Sequence, residues 1–364
     1  MVDALGLRRL MGRETNISDL LHYLTDRDPA AWAGIVEHVA TSARETGISS
    51  RKRADLVLHD AEGNVVGAVE VKLGHVFDGD QAQAYEKAFG EETPLVLAGL
   101  DVDGEAAEVD ADRWRYLRLS ELFECWTRSS DAEAAAVASA ATRVLAHWER
   151  EISSILDQES DQSVLARIDE PFLARILTRA LRERVQVAGA GRAYASVTSG
   201  GGNAILQAFS SVSEKTPKRE YIAEVRWDLN ASTMDFRFGL DYPWGSQAER
   251  AELYAHAQRL DDAIRVDSFI AHLRSARPGL ASLLTTRGTG RPTAKGDWGE
   301  VVEHGVDLVD IRGRSPGFFR DKDFRLEAKS RVDLHRATAA DVSALLTEAL
   351  AYLAGSDRSL AKNR

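Results

Sequence analysis

Two short apolar segments in the first part of the chain carry charged residues that could perform hydrolytic chemistry. Asp55 lies in the segment Arg53-Ala-Asp-Leu-Val-Leu, and Glu70 and Lys72 lie in the segment Gly67-Ala-Val-Glu-Val-Lys. Residues two apart in a strand share a face, so Glu70 and Lys72 project together while the valine between them projects the other way. Two charges on one side of an apolar strand need a physical reason, because unpaired charges are costly to bury.

A turn-rich stretch, residues 61–64, separates these segments and predicts an antiparallel hairpin. Closing the hairpin there places Asp55 opposite Glu70, so two carboxylates and the Lys72 ammonium converge on one face. Like charges this close repel unless a cation neutralises them, and Mg²⁺ prefers an all-oxygen site with one or two carboxylates. These residues predict either a divalent-metal site suited to phosphodiester hydrolysis or a salt-bridge cluster on a solvated sheet face.

Polar residues on two predicted helices could reach the same place. Gln81 and Tyr85 are four residues apart on a helix predicted over 81–89, so the amide and the phenol share a face. Glu14 lies at the start of an amphipathic helix with Ile17 and Leu21, and it leans toward the inward face of that helix. The alternatives are a helix-terminal acid favoured by the dipole for Glu14 and an ordinary half-buried helix face for the other two.

A basic triplet, Arg51-Lys52-Arg53, directly precedes the first of the two segments. We expect these three residues to face the phosphates of a nucleic acid, and the alternative is a solvated charged surface. The formal net charge of −11 argues against a protein that coats nucleic acid without specificity, because such binding needs a surplus of lysine and arginine.

The order and spacing of these residues resembles the PD-(D/E)XK nuclease superfamily, and is similar to the nuclease domains of the RecB type. The matching positions, all within residues 10–120, are Glu14, Asp55, Glu70-Val71-Lys72 and Gln81-Ala-Gln-Ala-Tyr85. One departure is Ala54, which stands where the motif that names the superfamily has proline.

The resemblance implies roles for these positions. Asp55 and Glu70 would hold Mg²⁺, with Mn²⁺ as a substitute, and Lys72 would assist the attack on the phosphodiester. The backbone carbonyl of Val71 and the carboxylate of Glu14 would complete or support the metal site.

The same resemblance implies that Gln81 and Tyr85 contact DNA or complete the pocket, so all six side chains count as candidate catalytic residues. The expected function is a metal-dependent nuclease that acts on nucleic acid, with DNA as the expected substrate, in defence against foreign DNA. The alternatives are an inactive nucleic-acid-binding or scaffold protein on the same fold, and a phosphohydrolase of small phosphate esters.

The expected fold class is α/β, with a restriction-endonuclease-like mixed sheet flanked by helices over residues 1–128. A helical connector over 129–190 begins with a long alanine-rich helix, and an α+β domain of unknown role follows over 191–364. That last region carries the signals of an antiparallel meander, then one helix over 246–266. We expect it to select substrate, bind a partner protein or form a homodimer.

Composition excludes several classes of protein. Cys125 is the single cysteine of 364 residues, so no intrachain disulfide framework exists. No run of 18 uncharged apolar residues and no signal-peptide pattern occurs, so we expect a cytoplasmic protein without a membrane partner.

A second Glu-x-Lys, Glu327-Ala-Lys329, lacks a following Gln-x3-Tyr helix, and we interpret it as an exposed strand face.

Overall fold

The protein is described by a computed structural model that covers residues 5–49, 52–100, 113–156, 164–187, 191–197, 203–213, 219–243, 245–290, 302–303 and 323–362. The chain divides into two compact units, Met1–Ser154 and Ile155–Arg364. The chain is a mixed α/β protein, which confirms the expected class at this level. It contains two five-stranded sheets. In the described residues, no helix is both long enough and apolar enough to span a bilayer.

The first unit contains a mixed sheet with helices around it. Its elements are α1 (Leu5–Met11), α2 (Glu14–Arg27), a 3-10 turn (Pro29–Trp32), β1 (Thr41–Gly47), β2 (Arg53–His59), β3 (Val65–Lys72), α3 (Gly79–Ala88), β4 (Leu95–Gly99), β5 (Trp114–Arg118), α4 (Leu119–Glu124) and α5 (Ala132–Leu156). The strand order is β1-β2-β3-β4-β5, in which β1 to β3 are antiparallel and β3 to β5 are parallel.

Hydrophobic patterning explains most of this unit. The strand β4 is buried along its whole length, as expected for a central parallel strand that is covered on both faces. The helix α2 buries Ile17, Leu21 and Leu24 and packs against β1, β2 and β3. The strand β1 was not expected, because this edge strand has a largely polar sequence with one buried residue, Ser42.

The second unit contains an antiparallel meander covered by helices. Its elements are α6 (Pro171–Arg182), β6 (Arg192–Val197), β7 (Ala204–Ser211), β8 (Glu220–Asp228), β9 (Thr233–Pro243), α7 (Gln247–Arg259), α8 (Val266–Ala276), α9 (Pro278–Ala281), β10 (Asp323–Asp333) and α10 (Ala339–Lys362), with 3-10 turns at Leu165–Arg167 and Leu229–Ala231. The sheet order is β10-β9-β8-β7-β6, and every neighbouring pair is antiparallel, which confirms the expected meander.

The expected single helix over 246–266 is wrong. The helix α7 ends at Arg259, and a new helix begins at Val266. Between them the Arg265 guanidinium contacts Asp261 at 2.6 Å and Asp262 at 3.2 Å. These polar residues stabilise a turn that the apolar spacing alone did not indicate.

The two faces of the second sheet differ in chemistry. One face carries buried aromatic residues such as Trp227, Phe236 and Phe238. On the other face, Glu327 is 1% exposed and accepts a hydrogen bond of 2.8 Å from Arg237. The interpretation of Glu327 as an exposed residue is therefore wrong, because a guanidinium group on the neighbouring strand compensates its burial. Lys329 stays partly exposed and pairs with Asp235 at 2.7 Å.

Candidate functional site

The β2–β3 hairpin brings the candidate residues together. Leu56 pairs with Val69 and Val57 pairs with Ala68, so the register expected from the sequence is confirmed. Asp55 and Glu70 are the next residues along their strands. The predicted turn is also present, and Gly63 adopts a φ of +85°, a left-handed conformation that glycine accommodates without strain.

Glu70 is the centre of the cluster and is 2% exposed. Its Oε1 accepts hydrogen bonds from Lys72 Nζ and from Gln81 Nε2, each at 2.5 Å. Its Oε2 accepts a hydrogen bond from the Tyr85 hydroxyl. Three donors from one strand and one helix therefore compensate the charge of a nearly inaccessible carboxylate.

The other two carboxylates are fixed by backbone amides at the end of β3. Asp55 Oδ2 accepts a hydrogen bond of 2.8 Å from the amide of Val71, and Glu14 Oε1 accepts one of 2.6 Å from the amide of Leu73. Amides two residues apart in a strand point to the same side, so these acids occupy adjacent places along one edge. They also satisfy amides that would otherwise lack an acceptor.

The helix α3 is positioned by residues that the sequence analysis did not single out. Asp78 caps its N-terminus by accepting a hydrogen bond of 2.7 Å from the amide of Gln81. Phe77 lies under Tyr85 in an edge-to-face contact, and its ring centroid is 5.7 Å from Lys72 Nζ. An aspartate directly before a helix is an N-cap signal, but the helix predicted to begin at Gln81 indicates Asp80. The helix begins two residues earlier, at Gly79, which makes Asp78 the cap.

Tyr85 has two partners in the site. In addition to donating to Glu70, its hydroxyl oxygen accepts a hydrogen bond of 3.1 Å from the amide of Asp55. The ring is fully buried and contacts Phe89 and Trp114. One phenol thereby connects both strands of the hairpin to the helix.

The cluster holds three neighbouring carboxyl groups and one ammonium group, and their mutual effects shift the pKa values. Burial and the neighbouring Glu70 carboxylate raise the pKa of Asp55 to about 8, against the opposing effect of the Val71 amide. Burial also raises the pKa of Glu70, although Lys72 opposes it. Burial alone would lower the pKa of Lys72, but the carboxylates of Glu70 and Glu14 outweigh it and raise that pKa.

The basic triplet is only partly described, because Arg51 lies outside the described residues. The Arg53 side chain is 68% exposed, and its nearest acidic partner is Glu45 at 3.9 Å. Arg53 shares a strand face with Asp55, since the two residues are two apart in β2. Lys52 is half-buried and donates its backbone amide to Ser49.

The donor set suits a hard divalent cation. Across the described part of the chain, Asp55 Oδ1 and Glu14 Oε2 accept no hydrogen bond, so each acid keeps an open oxygen. No group of three or more His, Cys, Asp or Glu side chains among the described residues forms a ready metal-binding set. Mg²⁺ does not require one, since it binds through one or two carboxylates and keeps several waters.

Comparison of the chain with protein-family models, with curated proteins and with solved structures gives no match. The interpretation of the site therefore depends on its own residues and geometry.

Proposed function

We propose that the protein is a Mg²⁺-dependent nuclease that hydrolyses phosphodiester bonds of DNA, on a restriction-endonuclease-like fold of the PD-(D/E)XK type. The observation that carries this proposal is the burial of Glu70 and Lys72, which are 2% and 6% exposed, beside the carboxyl group of Asp55. Folding alone does not favour such a cluster, because burying charged groups costs more than packing apolar ones. Clustered groups with shifted pKa values are typical of catalytic sites.

The arrangement of elements also supports the proposal. An antiparallel hairpin supplies Asp55, Glu70 and Lys72, and the helix after it supplies Gln81 and Tyr85. This is the order of elements on which the resemblance to the superfamily depends. A fully buried apolar strand, β4, continues the sheet beside the hairpin and gives the site a rigid base.

Each residue has a role that follows from its contacts. Asp55 and Glu70 would hold the metal ion, with the Val71 carbonyl and Glu14 beside them. Bound there, Mg²⁺ or Mn²⁺ would polarise the phosphoryl oxygen and lower the pKa of the attacking water. Lys72 would offset the negative charge that develops on the phosphoryl group.

Five further residues would position this machinery or its substrate. Gln81 and Tyr85 orient the Glu70 carboxylate through their hydrogen bonds. Arg53, exposed on the same strand as Asp55, would contact the backbone phosphates of a polymeric substrate, together with Lys52 and Arg51. A polymer rather than a small phosphate ester is therefore the substrate that we propose.

The decisive experiment is cleavage of linear and circular DNA, single- and double-stranded, with Mg²⁺ or Mn²⁺ and with EDTA. Wild type is compared with Lys72→Ala and Asp55→Asn. Lys87→Ala is the matched control, because Lys87 is an exposed lysine in the last turn of α3. We expect metal-dependent cutting that both site variants lose and the control keeps. Circular dichroism of each variant verifies that it is folded.

The outcomes separate the alternatives. Cutting of closed circles indicates an endonuclease, and cutting of linear DNA alone indicates an exonuclease. Salt-sensitive retention of DNA without any cutting would favour an inactive nucleic-acid-binding protein. Cleavage that persists in both site variants would overturn the assignment of the site. An RNA substrate in a parallel reaction tests the choice of polymer.

A further inference from the structure

A pocket of about 330 Å³ lies within the second unit, away from every residue of the proposed nuclease site in the sequence. Its polar lining comes from five places: Ser213 just after β7, Arg219 directly before β8, Tyr242 of β9, three residues of α7 and Asp357 of α10. The volume is in the range of clefts that bind small molecules. Charged and aromatic side chains around a cleft of this size are typical of a ligand site.

One wall of the pocket is an ordered chain of hydrogen bonds. His256 Nε2 lies 3.0 Å from Asp357 Oδ2, and the Tyr221 hydroxyl donates to the same oxygen at 2.7 Å. A carboxylate only accepts, so His256 donates from Nε2, which leaves Nδ1 as the acceptor for the Tyr242 hydroxyl. The wall therefore has one defined arrangement of protons and is preorganised before any ligand arrives.

The charge of the pocket comes from its arginines. Arg219 forms an ion pair with Glu252 and lies over the Tyr242 ring, 5.5 Å from its centroid, so that guanidinium is already compensated. Arg259 is exposed, and no acid or hydrogen-bond acceptor partners its guanidinium within the described residues. Arg259 nevertheless acts on both Tyr242 and His256. Burial raises the pKa of Tyr242 and Arg259 opposes this rise, whereas burial lowers the pKa of His256 and Arg259 reinforces this fall.

Among the described residues, the pocket lining leaves one guanidinium group without an ion-pair partner. Two guanidinium groups line the pocket, those of Arg219 and Arg259, together with the carboxylates of Glu252 and Asp357. Arg219 pairs with Glu252, so the Arg259 guanidinium is the one that remains open to a ligand. A guanidinium fork matches the oxygens of a phosphate group and binds it through charge-assisted hydrogen bonds. Asp357 keeps its charge, but Oδ2 of this carboxylate is held by Tyr221 and His256 rather than by Arg259, so the Arg259 fork is not occupied by it.

We propose that this pocket binds a small phosphate-bearing anion, with Arg259 as the residue that recognises the phosphate. The ligand class includes inorganic phosphate and mononucleotides, which share the group that Arg259 would contact. This inference is independent of the nuclease proposal, because it concerns other residues in the other unit. No chemical step is assigned to the pocket.

Isothermal titration calorimetry of the full-length protein in EDTA tests the proposal without any contribution from a metal-bound nuclease site. The probes are inorganic phosphate, AMP and adenosine. We expect phosphate or AMP to bind with a dissociation constant below about 1 mM, and adenosine not to bind. Tighter binding of AMP identifies a nucleotide as the ligand, whereas equal binding identifies the phosphate group alone.

Variants of Arg259 complete the test. Arg259→Gln should weaken binding by about tenfold or more, and Arg259→Lys should recover part of it, because lysine keeps the charge without the fork. Arg274→Gln is the matched control, since Arg274 is an exposed arginine on α8 outside the pocket. The absence of phosphate and AMP binding, or unchanged affinity in Arg259→Gln, would overturn the proposal.

Discussion

The Asp55 carboxyl group is held where its charge is disfavoured, with a pKa raised to about 8 by burial and by the Glu70 carboxylate. In an unfolded chain the same carboxyl group has a pKa near 3.8. The folded protein therefore binds an extra proton between these two values, and stability falls as the pH rises through that window. Under the proposed function, a bound Mg²⁺ would favour the ionised form of Asp55 and so offset this penalty.

The first prediction is that Asp55→Asn stabilises the metal-free protein. Asparagine keeps an acceptor for the Val71 amide but removes the charge. We expect a gain of at least about 1 kcal/mol at pH 9 and a smaller gain at pH 5, where the wild-type carboxyl group is mostly protonated. Urea unfolding in EDTA at both pH values measures it. An equal effect at pH 5 and pH 9 would contradict the assigned shift.

The second prediction concerns the hydroxyl of Tyr85. Tyr85→Phe keeps the buried ring and its contacts with Phe77 and Trp114, but it removes one donor from Glu70 and the acceptor of the Asp55 amide. We expect metal-dependent cleavage to fall by about 10- to 100-fold, as when an outer partner of a metal ligand is lost. Initial cleavage rates at several Mg²⁺ concentrations measure it.

A matched control for that variant is Tyr23→Phe. The Tyr23 hydroxyl donates to Glu133 at an exposed place in the same unit and contacts none of the candidate residues. Cleavage by Tyr23→Phe should equal that of wild type. If Tyr85→Phe cleaves equally well, Tyr85 has no positioning role.

At the scale of elements, the sequence predicted what depends on local patterns. The β2–β3 hairpin, its register and the helix that carries Gln81 and Tyr85 were predicted, because alternation and turn residues specify them directly. The strand β1 and the break after Arg259 were not predicted. The strand β1 depends on pairing with β2, and the break after Arg259 depends on ion pairs within a turn. Neither feature produces a periodic pattern of apolar residues in the sequence.

In the candidate site, too, features set by local geometry were predicted and features set by tertiary contacts were not. The sequence predicted that Asp55, Glu70 and Lys72 share a face, because strand geometry requires it. It did not predict that Glu14 contacts the amide of Leu73, since the position of a helix relative to a strand is a tertiary property. Burial of Glu327 was missed for a similar reason, because its partner Arg237 is 90 residues away in the sequence.

The third prediction tests the charged face of the second sheet. Glu224 is fully buried and pairs with guanidinium groups on three strands, those of Arg226, Arg237 and Arg325. Burial raises the pKa of Glu224, but Arg226, Arg325 and the Gln207 amide outweigh it and lower that pKa. We expect Glu224→Gln to reduce the free energy of unfolding by about 3 kcal/mol, because it leaves buried cations without their partner.

Urea unfolding at pH 7 measures this change. The control is Glu183→Gln, because Glu183 is 70% exposed and pairs with its neighbour Arg182 at the surface. That variant should change stability by less than about 1 kcal/mol. A neutral effect of Glu224→Gln would show that the network contributes no net stability.

At the scale of the whole molecule, acid should weaken the two units differently. Burial lowers the pKa of His256 below 6.5, with Asp357 opposing this shift and Arg259 and Arg219 reinforcing it. Just below pH 6.5, His256 therefore binds a proton in the unfolded chain but not in the folded second unit. The stability it gains from neutral His256 is present above pH 6.5 and is lost as the pH falls through that value.

The fourth prediction is a loss of stability in the second unit between pH 7.5 and pH 5.5, of up to about 1 kcal/mol per pH unit. Hydrogen exchange, corrected for the intrinsic effect of pH, should show this loss in peptides from β8, β9, α7 and α10. These elements are connected by the hydrogen bonds among Tyr221, Tyr242, His256 and Asp357. In His256→Phe the pH dependence of these peptides should be smaller. Identical pH dependence in both proteins would exclude the role of His256.

The three donors on Glu70 have a consequence for how such an enzyme would be supplied with its cofactor. Lys72, Gln81 and Tyr85 supply this carboxylate with hydrogen bonds from the chain itself, so we expect the chain to fold with its site assembled before a cation binds. Under the proposed function, magnesium would not be needed as a scaffold during synthesis. A cell could therefore accumulate a dormant reserve of folded protein, and activity would follow the concentrations of free magnesium and substrate rather than new translation.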